Sequence, residues 1–441
     1  MKRILTIILL CAAAFSAAAE GEVAKTGLNF GPRPAVGYSS DLGWHYGALS
    51  DIYWYGDGST YPEYMWKANV EVSKYSKGNT VLHSFFDSKY LVPGLRISGA
   101  ISWFGNKTTD FYGFNGANSV YIPEMAGIND GIGFYLMRRD IFRIQTCIQG
   151  SIGGHWGWAG GITYWNIKTG HAQNKGLGTP FTEGGQDLSL YDLYVLNKVI
   201  PEAEKNGGQH LEFKAGVVYD TRDHENNPTR GTNIEVYMFG SPDIISKHDN
   251  SYLKLAVHFK QFVPVIQDKL TFGAHVAFQG LIAGNAPYYM LQTIQSINMK
   301  QINTEGLGST CTLRGTINNR LQGNSYAWMN TEFRWSFAKF RWINQNWTLA
   351  TNPFFDMGMI VSPYRAKQMK ALAIDITPVG TTGRVARDFY NDVAQGIHCS
   401  AGIGLHVIMN QNFNINFEFG KCFDPNDGTG LGINIGLNYI F

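Results

Sequence analysis

The sequence predicts an all-β chain: a 16-stranded antiparallel transmembrane β-barrel with an inward-folded extracellular loop. Three observations lead there. An export signal opens the chain, the composition is too aromatic and too weakly charged for an ordinary soluble domain, and period-two alternation recurs in many short segments.

Residues 1–19 read as a signal peptide. Lys2 and Arg3 supply its positive end, Ile4 to Phe15 its apolar stretch and Ala17-Ala18-Ala19 its small-residue cleavage site. The mature chain is expected to begin near Glu20, with residues 20–33 a short periplasmic segment and 34–441 the barrel. Cys11 does not form a lipobox, because Leu10 before it is too large and the apolar run to its left is short. Beyond the signal no run of about eighteen apolar residues occurs, so crossing a membrane falls to strands.

Composition agrees: 51 glycines, 14% aromatic and 16% charged residues suit strands that alternate between lipid and a wet interior. A net charge of +2 gives no reason to expect a nucleic-acid partner or a basic membrane-surface patch. Cys147, Cys311, Cys399 and Cys422 are widely spaced with no Cys-x-x-Cys, which argues against a zinc or redox centre; one disulfide is allowed, its pairing open. No cofactor or metal is expected. His258 and His275 fall on lumen faces of adjacent strands, where polar residues belong anyway.

Alternation is clearest in the second half. Leu211, Phe213, Ala215, Val217 and Tyr219 form one face of a segment, and Leu270, Phe272, Ala274, Val276 and Phe278 one face of another. Counting every such run predicts strands at 34–40, 44–56, 64–76, 80–90, 94–105, 131–152, 156–168, 209–221, 232–240, 251–264, 269–283, 325–338, 347–360, 397–408, 412–421 and 430–441. The run 131–152 could be split at Arg138-Arg139-Asp140. Kept whole, it places the four longest connections, near 106–130, 169–208, 284–324 and 361–396, after odd-numbered strands and therefore at one end, the outside-loop rule of such barrels. A soluble β-sandwich or propeller is the competing reading; no blade-length repeat supports it.

The last predicted strand sets Leu431, Ile433, Ile435, Leu437, Tyr439 and Phe441 on one, lipid-facing side. Its ending, Asn434-x-Gly436-x-x-Tyr439-x-Phe441, resembles the β-signal by which outer-membrane barrels are recognised for insertion, with Gly436, Tyr439 and Phe441 as its elements.

The segment Tyr219-Asp220-Thr221-Arg222-Asp223, followed by Asn227-Pro228-Thr229-Arg230-Gly231, ends one strand and starts another, and Pro228 and Gly231 account for the turn locally. The run resembles the hairpin of the bacterial surface-antigen superfamily, the Omp-eighty-five or BamA–TamA type of outer-membrane assembly and translocation barrel. Three further fragments carry the resemblance in family order. Leu313-Arg314-Gly315-Thr316 is similar to a Val-Arg-Gly-aromatic loop tip, with Leu313 and Thr316 departing from the usual residues. Asn330-Thr331-Glu332 resembles Gly-x-Glu, and Phe354-Phe355-Asp356-Met357-Gly358 matches Phe-x-Asp-x-Gly. The resemblance implies that these fragments meet in the lumen. Alternation independently turns Glu332 and Asp356 inward on neighbouring strands, where a loop folded back inside would offer Arg314 as a planar, five-donor partner for one or both.

The resemblance also implies function and partners. Assembly members of the family carry polypeptide-transport-associated (POTRA) domains before the barrel; here strands begin within about fifteen residues of the cleavage site, so a barrel-only member is expected. Its implied partners are outer-membrane lipid and lipopolysaccharide, client outer-membrane proteins, and the β-barrel assembly machinery that would insert it. The expected role is to help proteins, or lipids, enter or cross the outer membrane through a weak seam between the first strand, around Ala35 to Ser40, and the last, around Gly430 to Phe441. The alternative is a passive pore or structural barrel plugged by loop 284–324. Catalysis is not expected: no Gly-x-Ser-x-Gly, His-Glu-x-x-His, phosphate loop or EF-hand pattern occurs, and nothing marks a phospholipase's Ser, His and Asn set.

Overall fold

A computed structural model describes residues 24–39, 43–61, 63–126, 133–172, 188–225, 227–245, 250–297, 306–308, 312–343, 345–379, 383–409, 413–437, 439 and 441. The export signal 1–19 and Cys311 lie outside these residues. Sixteen long strands form the barrel: β1 (Leu28–Ser39), β2 (Gly43–Trp54), β3 (Trp66–Tyr75), β4 (Asn79–Val92), β5 (Leu95–Asn106), β7 (Leu136–Gly153), β8 (Trp156–His171), β9 (Gly207–Asp220), β10 (Gly231–Ser241), β11 (Tyr252–Ile266), β12 (Leu270–Gly284), β13 (Ser325–Trp342), β14 (Gln345–Ser362), β17 (His398–Met409), β18 (Phe413–Cys422) and β19 (Gly432–Leu437). Three two-residue strands, β6 (Thr109–Asp110), β15 (Pro378–Val379) and β16 (Arg384–Val385), belong to the loops.

Each long strand pairs antiparallel with the next, and β19 returns to β1 to close the barrel. Closure shortens the free edges that an open sheet would leave in lipid. The run 131–152 is one strand from Leu136: Arg138 forks to Asp140 on the outside (2.6 Å), while Arg139 points inward and donates to the Tyr289 carbonyl (2.9 Å).

Two ends differ from the expected strands. β1 begins at Leu28, so the barrel starts six residues before position 34 and takes in part of the segment 20–33. Pro32 and Pro34 hide this in the sequence, because proline is a poor strand residue unless its missing N–H faces an edge. At the other end β19 stops at Leu437, short of Phe441. Tyr439 and Phe441 are each 9% exposed and sit in the lumen rather than against lipid.

The long connections gather at one end, where Phe111, Phe114, Phe134, Leu193, Tyr194, Tyr288, Leu372 and Phe389 share a buried apolar core. This core caps the barrel and takes in the start of the loop between β12 and β13, at Ala286, Tyr288, Tyr289, Met290 and Leu291.

Candidate functional site: the plug anchor and the strand seam

The loop from residue 285 to 324 enters the barrel. Its first limb runs down the wall formed by β7 and β9 to β12, and its backbone groups are met by lumen side chains. Lys254 Nζ donates to the Met290 carbonyl (3.2 Å), and Lys214 Nζ to the carbonyls of Ser296 (3.0 Å) and Ile297 (3.3 Å). Gln279 donates to the Thr293 carbonyl (2.6 Å) and accepts from the Gln295 amide (3.0 Å), while the Ile297 amide reaches Glu235 (2.9 Å). A non-helical segment survives at membrane depth only when its backbone is satisfied in this way.

The second limb brings Arg314 to the opposite wall. Its Nε and Nη2 fork onto Asp356 of β14 (2.8 Å each), and its own backbone amide adds a third bond to the same carboxylate (3.0 Å). Nη1 reaches Glu332 of β13 (2.7 Å) and Glu418 of β18 (3.2 Å), and the guanidinium lies 3.7 Å over the Phe354 ring. Alternation places all four wall residues inward. The structure therefore brings Arg314, Glu332 and Asp356 together and adds a third carboxylate. Glu418 shares the polar face Asn414, Asn416, Glu418, but no spacing singles it out.

Gly315 follows with φ +85°, and a Cβ there would lie 2.3 Å from the Gly420 carbonyl carbon. The tip thus rests directly on the backbone of β18, and only glycine fits. Leu313 is fully buried against Gly358, where an added Cβ would stand 3.2 Å from its methyls; Leu307, Leu321 and Trp328 complete that pocket.

Glu332 also joins the plug to the end of the chain. Its Oε1 accepts from Arg334 Nε (2.7 Å), and Arg334 Nη2 donates to the Phe441 oxygen (2.8 Å). The same guanidinium stacks 3.9 Å over Tyr439, whose other partner is the His406 ring at 4.1 Å. Phe441 completes the cage against Phe262 (6.0 Å) and His275 (5.4 Å). This explains the inward turn, since each aromatic ring gains a cation or a ring partner that lipid would not offer. Gly436 remains in β19, opposite Asn416. The expected lipid-facing β-signal is therefore split, with two of its three residues in the lumen.

Sequence alternation does not reveal how far the first and last strands pair. Among the described residues β1 and β19 pair only at Tyr38 with Ile435 and Ser39 with Asn434. The carbonyls of Trp44 and Trp54 accept from Ser76 and Met65, on the β3 side, so the odd-numbered residues of β2 bond β1. In the unbroken β1–β2 register, the even-numbered amides of β1 then face the seam. Continuing the seam register sets Pro34 opposite Tyr439 and Pro32 opposite Phe441. At both positions the donor is missing.

The hairpin residues lie at the short-turn mouth. Arg222 forks onto Asp220 (2.9 and 2.6 Å), and Asp223 accepts from the amides of His224 (2.9 Å), Thr229 (2.9 Å) and Arg230 (3.3 Å) and from the Thr229 hydroxyl. Pro228 is buried, Arg230 is exposed, and Gly231 turns at φ +104° against the Thr221 carbonyl. Tyr219 packs on Trp156 at 5.0 Å. Glu225 reaches across to Arg96 (3.2 Å), which also forks onto Asp87, beside a cavity of about 600 Å³ lined by Tyr64, Arg96, Trp156, Asp220 and Arg222. Arg314 and its partners stand apart, against β13, β14 and β18.

His258 and His275 bond each other (Nδ1 to Nε2, 3.1 Å). Among the described residues His398, Asp424 and Asp427 have metal-ligand spacing, yet His398 already bonds Asp427 (2.6 Å) and Arg320 lies 3.3 Å from the same carboxylate. That cation opposes a metal there. Cys147, Cys399 and Cys422 are free thiols.

A family model described as the Omp85 superfamily domain matches residues 66–441. No curated protein sequence matches. The structure is similar to BamA from Haemophilus ducreyi lacking POTRA domains 1–3, with 14% identity and a TM-score of 0.53 over 94% of this chain and 70% of that one. It is similar also to CdiB from Escherichia coli, with 10% identity and a TM-score of 0.53 over 95% of this chain and 63% of that one. The chain thus spans less than two thirds of that CdiB, and at these identities the likeness is one of fold.

Proposed function

The chain belongs to the Omp85 superfamily and is an integral outer-membrane β-barrel, and from that premise we propose that it assists the insertion or translocation of proteins, or lipids, at the outer membrane through the β1–β19 seam. The observation that carries this reading is the seam itself, paired at two positions among the described residues, with Pro34 and Pro32 withholding donors from the two seam-facing positions beyond Val36. The β1 edge keeps its seam-facing carbonyls and the amides of Leu28, Phe30 and Val36. A client strand can pair there by β-augmentation, in which main-chain bonds supply affinity without demanding a particular sequence. No chemical step is assigned to the barrel.

The plug gives the second reading its footing. A lumen whose loop is held by Lys214, Lys254, Gln279, Arg314 and their partners also suits a structural barrel or a narrowed pore. Depletion of the protein followed by quantitative proteomics of the outer membrane separates the two. Selective loss of other barrels supports assembly; an unchanged outer-membrane proteome, with stable solute-selective conductance of the purified protein, supports the pore.

A further inference from the structure

We propose that Arg314 and Arg334 are alternative cations for one set of carboxylates, so that withdrawing the plug releases the chain end beside the seam. Glu332 is the shared group: its Oε2 takes Arg314 (2.7 Å) and Asn352 (2.8 Å), and its Oε1 takes Arg334 (2.7 Å). Around it Glu332, Asp356 and Glu418 present three carboxylates to two guanidiniums.

Two atoms in this cluster are left over. Arg334 Nη1 and Glu418 Oε2 are buried and have no hydrogen-bond partner among the described residues. A buried donor and a buried acceptor left unmade in one network are costly, and they mark where an alternative pairing would gain. While Arg314 is seated, Glu418 is served by its Nη1 (3.2 Å), and Arg334 is free to hold the tail through the Phe441 oxygen and the Tyr439 ring.

Removing Arg314 leaves three inward carboxylates beside a single guanidinium of the pair. Like charges this close repel, and the remaining cation is drawn toward them. Arg334 then turns its spare Nη1 toward Glu418, and both of its contacts to the tail are given up together. Because, among the described residues, β19 holds β1 at two positions, a tail freed from the lumen leaves the described seam with little else to keep it shut. The network is thus a two-state element in the required sense: each arginine position favours a different arrangement of the same groups. The consequence for clients rests on the seam reading above, whereas the exchange concerns only plug and tail and stands or falls separately.

The test uses the full chain, purified as a folded barrel, with p-benzoylphenylalanine replacing Phe441. Photocrosslinking to the β12 segment that carries His275 reports tail seating, and limited proteolysis of loop 285–324 reports plug seating. Arg314→Ala is expected to lower the crosslink by about fivefold or more, the factor by which a difference of one hydrogen bond shifts a two-state population. Adding Glu418→Gln should restore it, since the competing acceptor for Arg334 is then neutral. Arg334→Met should abolish the crosslink while leaving the plug as protease-resistant as in the parent, because Arg314 has lost its competitor. A crosslink unchanged by Arg314→Ala overturns the exchange, as does a plug exposed by Arg334→Met, which would mean a single rigid cluster. Should Arg314→Ala fail to fold, the Arg334→Met arm decides alone.

Discussion

Pro34 is the residue that Tyr439 would face if the register of the seam continued, and Tyr439 has instead left the sheet for the lumen. The tyrosine carbonyl would meet a residue that cannot donate, while inside its ring meets Arg334 at 3.9 Å and His406 at 4.1 Å. Pro32 repeats the relationship with Phe441.

Replacing both prolines by valine should therefore lengthen the seam. Each restored donor is worth about 1 kcal/mol net, and the tail would return to the lipid face that its alternation calls for. The expected result is a barrel that unfolds at higher temperature and has lost activity, read from heat-modifiable electrophoresis and complementation. A seam variant with parental heat stability and parental activity would show that the prolines do not limit pairing.

Arg314→Ala and Asp356→Ala should each release the plug. Breaking one side of a buried ion pair costs about 3–5 kcal/mol, much of it the stranded partner. The double variant should be little worse than either single one, because both remove the same bonds. Chemical denaturation of the three variants checks this, and additive losses would mean that the two residues act independently.

Gly315→Ala tests the tip without touching a charge. A left-handed φ costs a β-carbon residue about 1–2 kcal/mol, and the Gly420 backbone 2.3 Å away leaves the methyl no room. Faster cleavage of loop 285–324 is expected. If the loop stays as resistant as in the parent, the tip does not rest on β18.

At the short-turn mouth Asp223 gives a pH-dependent outcome. Burial pushes its carboxyl up, but the Thr229 hydroxyl and the amides of Thr229 and Arg230 outweigh it and hold the group below its ordinary value. A lowered folded value means that its stabilisation is present above the unfolded value near about 4 and is lost as pH falls through the folded one. Protection of the Thr229 and Arg230 amides against hydrogen exchange, relative to their intrinsic rates at each pH, should be high at neutral pH and fall only in acid; Asp223→Asn should lower it and leave it independent of pH.

The barrel was legible because its signal is periodic and repeated. Runs such as Leu270 to Phe278 place one face in lipid whatever their neighbours do, and sixteen of them need no knowledge of contacts. Its two ends were not legible, because Pro32 and Pro34 look like breakers until the adjoining edge is known to be empty, and Tyr439 and Phe441 keep perfect alternation although they leave the sheet. The anchor was half legible. Arg314, Glu332 and Asp356 lie in motifs, but Arg334 and Glu418 lie only at inward parity, shared with dozens of lumen residues. The spacing Glu332-x-Arg334 does put opposite charges on one face of one strand, and that was the available hint.

Action through the seam requires that β1 and β19 separate. Ser39 and Asn434 form a directly opposed pair, with the amides of Ser39 turned to β2, so paired cysteines at these positions fall within disulfide range. In a chain lacking Cys147, Cys311, Cys399 and Cys422, Ser39→Cys with Asn434→Cys should form a crosslink that depletes other barrels from the outer membrane, and reductant should restore them. A quantitatively formed crosslink with an unchanged outer-membrane proteome would contradict the account.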